Sequence, residues 1–143
     1  MELHKPKNLY ELLTLNMEQR FANRVAFRWY DADQDVVVEK HFGEYAQDIR
    51  RAVNYYLSTI PDIQGKRVCV WSNNSYHYAV NCYGVMMAGG VIVPMNQRKS
   101  WDELSYELGL VEPDAILTDG DDYGFNDQLK AAYGDILRPM DGF

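Results

Sequence analysis

The chain is poor in cysteine, has no excess of positive charge and contains no long unbroken apolar run. Each shortage removes a class of protein. Its two cysteines, Cys69 and Cys82, fall inside an apolar strand-like run and an apolar helix-like run. A free thiol in such a place behaves as a small buried hydrophobe. No disulfide framework is expected, and a reduced, cytoplasmic setting is the simplest account. The three histidines, His4, His41 and His77, are scattered without a ligand-spaced partner, so no metal site is expected. With 14 Lys+Arg against 21 Asp+Glu the net charge is −7, which gives no attraction to nucleic acid or to an anionic membrane surface. The most apolar stretch, Ala79 to Pro94, is interrupted by Asn81, Gly84, Gly89 and Gly90. It is also shorter than the roughly 20 residues a membrane helix needs. The opening Met1–Lys7 has no apolar core, so neither a membrane span nor a secretory signal is expected.

What the chain does have is apolar and aromatic material: 47% hydrophobic and 13% aromatic residues, 11 of them tyrosine, in 143 residues. That predicts a folded protein with one core, a single domain over residues 1–143. Its most informative part is residues 67–96. An apolar strand (Arg67–Trp71), a polar loop (Ser72, Asn73, Asn74, Ser75), an apolar helix to Ala88 and a second apolar strand after Gly89-Gly90 form one strand-helix-strand unit. Two strands joined through a helix read as parallel, with a right-handed crossover. Elsewhere, Asn8 to Glu11 has the form of a capping box opening a helix with an apolar face of Leu9, Leu12, Leu13, Met17 and Phe21. Val25–Tyr30 and Val36–Phe42 read as a β-hairpin about a turn rich in aspartate. Tyr45 to Leu57 repeats at helical spacing, ending before Pro61. A second capping box, Ser100 to Glu103, opens a helix that Pro113 stops; Ala115–Asp119 is a third parallel strand, and Asn126–Tyr133 a last helix. The fold class is therefore α/β: a three-layer arrangement of a parallel (mixed) sheet with flanking helices, plus one hairpin near the N-terminus. The closing Leu137–Phe143 shows no periodicity and resembles neither a cap nor a packed helix, which fits a chain cut in a linker.

Chemistry-bearing motifs are few. A phosphate-cradling glycine loop follows a strand and opens a helix, whereas Gly89-Gly90 closes a helix and opens a strand. Those glycines read as a helix cap. The loop Ser72-Asn73-Asn74-Ser75 leaves the carboxyl end of a parallel strand, where open α/β sheets bind ligands; the same residues are ordinary helix caps, and both readings stand. Tyr76-His77-Tyr78 and the group Tyr83, Val85, Met86 and Met87 read as packing. Asp31, Asp33 and Asp35 read as a solvated turn rather than a calcium loop. No serine has the surroundings of a nucleophile elbow. No catalytic, cofactor-binding or metal-ligating residue is assigned.

The order of these segments resembles the beginning of the adenylate-forming (AMP-binding) enzymes of the acyl-CoA synthetase type. The likeness runs over roughly residues 8–120 and rests most on Ala88-Gly89-Gly90-Val91 before Val93-Pro94-Met95-Asn96, with Asn74-Ser75 ahead of them and Ser100–Leu108 and Pro113–Asp119 continuing in register. The resemblance implies activation of a carboxylic acid, a fatty acid or a relative of one, by ATP and magnesium. An acyl-adenylate forms and the acyl group passes to coenzyme A. The family's Thr/Ser/Gly-rich phosphate loop, its Tyr-Gly-x-Thr-Glu segment, its ribose-binding aspartate and its catalytic lysine have no counterpart in these residues. The resemblance therefore implies an N-terminal portion of an acid–thiol ligase that holds no cofactor and does no chemistry alone. Its partners would be the remainder of the ligase, or another copy through apolar surface left uncovered. Two other readings remain: a free-standing interaction or regulatory module, and a small flavodoxin-like ligand binder.

Overall fold

A computed structural model describes residues 5–119 and 126–143. The chain forms two compact units, one ending at Arg51 and one running from Ala52 to Phe143.

In the first unit, Asn8 caps a short helical turn, α1 (Leu9–Glu11), by accepting the Glu11 N–H on its side chain at 2.8 Å. The Glu11 carboxylate reaches back one residue further than a capping box does, to the Lys7 N–H at 2.8 Å. From Leu12 the helix widens into a π-helix (Leu12–Arg20), closed by Phe21 N–H donating to Asn16 O at 2.8 Å. This departs from the expected amphipathic α-helix. With the wider turn only Leu13 and Met17, four apart, are fully buried, while Leu9, Leu12 and Phe21 are half-buried. Strands β1 (Val25–Asp31) and β2 (Val36–His41) pair antiparallel, Trp29 opposite Val38, with a bulge between Val25 and Phe27. The turn is built by Asp31, whose Oδ1 accepts from the N–H groups of Asp33 (3.0 Å) and Gln34 (3.2 Å), and by Asp35 at φ +53°. A two-stranded hairpin needs packing to persist; Phe27 supplies it edge-to-face on Tyr45, 4.9 Å between centroids. Arg50 adds a two-pronged ion pair to Glu18, which holds that carboxyl below its ordinary range.

The helix α2 (Phe42–Thr59) carries the chain into the second unit. There β3 (Arg67–Trp71), α3 (Tyr76–Met87), β4 (Val91–Pro94), α4 (Trp101–Val111), β5 (Ala115–Thr118), α5 (Asn126–Tyr133) and β6 (Leu137–Pro139) follow in order. The four strands make one parallel sheet in the order β4-β3-β5-β6. The step from β3 to β4 and the step from β4 to β5 cross the sheet in opposite directions, so right-handed crossovers put α3 and α4 on opposite faces. Cys69, Trp71 and Ile116 on one face pack with Leu104 and Leu108 of α4 and Leu129 of α5. Val68, Val70, Ala115 and Leu117, all fully buried, point to the other.

The helix pair on that second face is set by one glycine. A Cβ at Gly84 would stand 2.6 Å from the Ala52 Cβ, so α2 and α3 approach at a distance only hydrogen allows. Gly89 ends α3 at φ +99°, with Gly89 N–H donating to Met86 O (3.1 Å) and Gly90 N–H to Val85 O (2.9 Å). That is the Schellman pattern, and it accounts for the expected cap. Two packing expectations differ: Met86 is 39% and Leu57 57% exposed. Near the end of α2 the burial passes to Ile60 and Ile63 instead. The tail is not linker, because Leu137–Pro139 pairs with Ile116–Thr118 as the sheet's fourth strand. Proline is tolerated there because an edge strand leaves one side unbonded.

Gly84→Ala should cost about 1–3 kcal/mol in urea denaturation through overpacking. Adding Ala52→Gly should recover part of the loss, less about 1 kcal/mol for glycine in a helix; a Gly84→Ala chain as stable as its parent would refute the contact. A second expectation concerns alkaline pH. Burial raises the Cys69 thiol from 9.0 to about 11 and raises the Tyr56 phenol as well. Both stay neutral in the folded chain where the unfolded chain ionises. Stability is full below about pH 9 and declines as pH rises toward 11. Cys69→Ala should flatten that decline in a pH series of denaturation curves, and parallel curves would exclude the thiol as its source.

Candidate functional site

Adjacent strands β3 and β5 send their following connections to opposite faces of the sheet. A crevice opens at their carboxyl ends, where such sheets bind ligands. The loop Ser72–Ser75 forms one side of it. Ser72 is buried and its hydroxyl donates to Asn73 O at 2.9 Å. The Asn73 N–H donates to Asp119 Oδ2 at 2.9 Å, tying this loop to the end of β5. The Asn73 and Asn74 side chains are exposed. Ser75 has extended backbone, and its Oγ accepts the Tyr78 N–H at 3.0 Å, which makes it the N-cap of α3. The structure thus brings the four loop residues together and assigns them unequal parts: Ser75 caps, Ser72 packs and Asn73 fastens.

Beyond Ser75 lies a cavity of about 490 Å³. Its walls are Ser75 and His77 of α3, Thr118 and Asp119 at the end of β5, Lys130 of α5, and the stretch 137–141. The charge is mixed, with Lys130 and Arg138 facing the same space as Asp119 and Asp141. Arg138 is partly committed, its Nη1 donating to the carbonyls of Leu137 (2.9 Å) and Asp135 (3.2 Å). The Asp119 Oδ1 is buried with no hydrogen-bond partner among the described residues. Most of the wall is nevertheless apolar, with Leu137, Pro139 and Met140 among its residues, so it suits an apolar group that also carries charge. Among the described residues, no hydrogen bond pairs the Ser75 hydroxyl of the wall with a base. Among the described residues no group of three His, Cys, Asp or Glu side chains is placed to hold a metal ion.

The strand-end loop is legible in the sequence, and the residues that share the cavity with Ser75 are not. His77 was expected in packing, yet it is exposed and borders the cavity. Thr118 and Asp119 carry a detectable signal, since they end the strand next to β3. Arg138 and Asp141 depend on recognising β6, whose three residues are too short to show a period.

The profile of the family described as AMP-binding enzyme matches residues 19–137. No curated protein matches the sequence. Among solved structures the chain is similar to a fatty acyl CoA synthetase of Mycobacterium tuberculosis, at 21% identity and TM-score 0.65 over 78% of this chain and 21% of that one. It is similar to ATP-bound MatB of Rhodopseudomonas palustris at 20% identity and TM-score 0.67, over 95% of this chain and 26% of that one. The N-terminal subdomain of NpsA of Klebsiella oxytoca matches at 20% identity and TM-score 0.63, over 76% and 26% of the two chains. These likenesses show a shared fold, and the chain spans between a fifth and about a quarter of the length of each structure. The family match covers most of the chain, from the end of the π-helix to the first residue of β6: the chain belongs to the AMP-binding enzymes.

Proposed function

We propose that this chain is the N-terminal portion of an ATP-dependent acid–thiol ligase that activates a fatty acid or related carboxylic acid as its adenylate and passes the acyl group to coenzyme A. The 143 residues supply scaffold and not the chemical step. The observation that carries this reading is the family match over residues 19–137. The likeness to the mycobacterial protein, whose name includes fatty acyl CoA, supports the choice of acid and acceptor.

The residues themselves argue against ATP chemistry in this chain alone. Holding a triphosphate takes a run of free backbone amides at a strand-to-helix turn, with a metal and preorganised donors for the transferring group. At the β3–α3 junction the Tyr78 amide is already bonded by Ser75. The glycine pair Gly89-Gly90 has its amides bonded to Met86 and Val85. The amides of Tyr78, Gly89 and Gly90 are therefore not open to a phosphate. Within this reading the loop Ser72–Ser75 is the ligand-facing element, through Ser75 at the cavity's edge. The remainder of the ligase is the chain's partner, and the whole works in the cytoplasm.

With ATP, magnesium and a series of short- to long-chain carboxylic acids, the 143-residue chain should release no pyrophosphate. A version extended through the downstream coding sequence should release it with at least one of those acids. Pyrophosphate from the short chain would overturn the scaffold assignment, and an extended chain silent with every acid would overturn the ligase reading.

A further inference from the structure

A buried carboxamide sits at the junction of three segments of the second unit. Asn81 on α3 is fully buried. Its Nδ2 donates to His77 O within its own helix and to Met140 O, each at 2.7 Å, and its Oδ1 accepts from the Tyr56 hydroxyl of α2. Both N–H groups and the carbonyl of the amide are thus used. An amide inside an apolar helix is costly unless every polar atom is matched, and here the matching depends on residue 140 staying in place.

Residues 140–143 are otherwise lightly held. Met140 N–H donates to Thr118 O at 3.1 Å, while the Gly142 N–H turns back to Pro139 O at 3.4 Å. The Met140 side chain is buried. Gly142 lies against Tyr55, where a Cβ would come within 2.8 Å of the phenol oxygen, and the Phe143 ring rests 5.9 Å from that of His77. Met140 and Asp141 at the same time form part of the cavity wall.

We propose that Met140–Phe143 is a strap closing one side of the cavity, and that Asn81 is its latch. The strap opens as a local unit while the four-stranded sheet stays folded. Two features support a hinge at β6. The strand is three residues long and paired on one side only, and it ends in Pro139, which has no N–H to give. Beyond it, among the described residues, the strap's bonds to the rest of the unit run through Thr118 and Asn81. Loosely bonded edge segments open at free energies well below that of global unfolding. The carboxamide therefore sets how often the wall is absent, and hence how freely the cavity admits a ligand or a segment of another chain.

Native-state amide exchange on the whole chain, followed by NMR at rising sub-denaturing urea, tests this. In the wild-type chain the Met140 amide should exchange faster than those of Val70 and Leu117, at a rate nearly independent of urea. In Asn81→Leu, which keeps the volume and removes the donor, Met140 should exchange roughly tenfold faster while the β3 and β5 amides keep their rates, as expected for one lost buried hydrogen bond. Tyr56→Phe, which removes only the bond orienting the carboxamide, should give a smaller rise at the same amide. A wild-type Met140 sharing the steep urea dependence of Val70 and Leu117 would overturn the proposal, whether or not the variants fold. So would unchanged Met140 exchange in a folded Asn81→Leu chain.

Discussion

Strand β3 is hydrogen-bonded along both edges and covered on both faces, and from Val68 to Trp71 no side chain reaches water. A strand buried in this way cannot be served by one layer of helices. Its neighbours must be reached by crossovers to both faces, and its side chains must be apolar at every position. The run Val68-Cys69-Val70-Trp71 meets that demand with no alternation. The remaining features of the second unit follow from it. The Gly84–Ala52 contact lets α2 and α3 close over one face, and Leu104, Leu108 and Leu129 close over the other around Trp71. The crevice exists because the connections after β3 and β5 part company there.

This dependence explains which features were legible in the sequence. Burial on both faces writes a continuous apolar run, and a helix between two such runs with a glycine cap writes a crossover; β3, α3 and β4 could be read together. The hairpin was legible because Asp31 and Asp35 mark a turn between β-branched runs. Elements below the length of a period were not. Leu137-Arg138-Pro139 contains a proline and three residues, and only the open edge beside β5 makes it a strand. The π-helix was hidden for a different reason: residues four apart share a side in either helix, so Leu13 and Met17 fit both. The box at Asn8 was half right because Glu11 has a second amide, that of Lys7, within reach.

The candidate site shows the same division between place and partners. That a loop at the carboxyl end of β3 faces a crevice follows from topology, and the sequence carries topology well. Which loop residues turn inward depends on contacts across the sheet. Asn73 reads as a helix cap, but Ser75 takes that part, and the Asn73 backbone N–H donates to Asp119, 46 positions away in sequence. Ser75 both caps α3 and borders the cavity, so the capping and ligand-facing readings were never exclusive. A cap uses the hydroxyl oxygen as an acceptor and leaves the hydroxyl proton for something else.

Asn81 shows how a local reading can identify a residue and miss its work. In the sequence it is one of four interruptions that keep Ala79–Pro94 from being a membrane span, and as an interruption it carries no further information. In the fold its Oδ1 and both N–H groups are bonded, joining α2, α3 and the strap. The three glycines of the same stretch serve backbone geometry, at one close approach and one cap. Asn81 serves none. An apolar residue would fill the same volume without needing Met140, so packing alone gives no reason for an amide here. The demand comes from the Met140 carbonyl, just past β6, which accepts from the Asn81 Nδ2 inside the unit. A helix reaching out to satisfy it links the residue after the last strand to the first crossover, 59 positions apart, a pairing no window of local sequence contains.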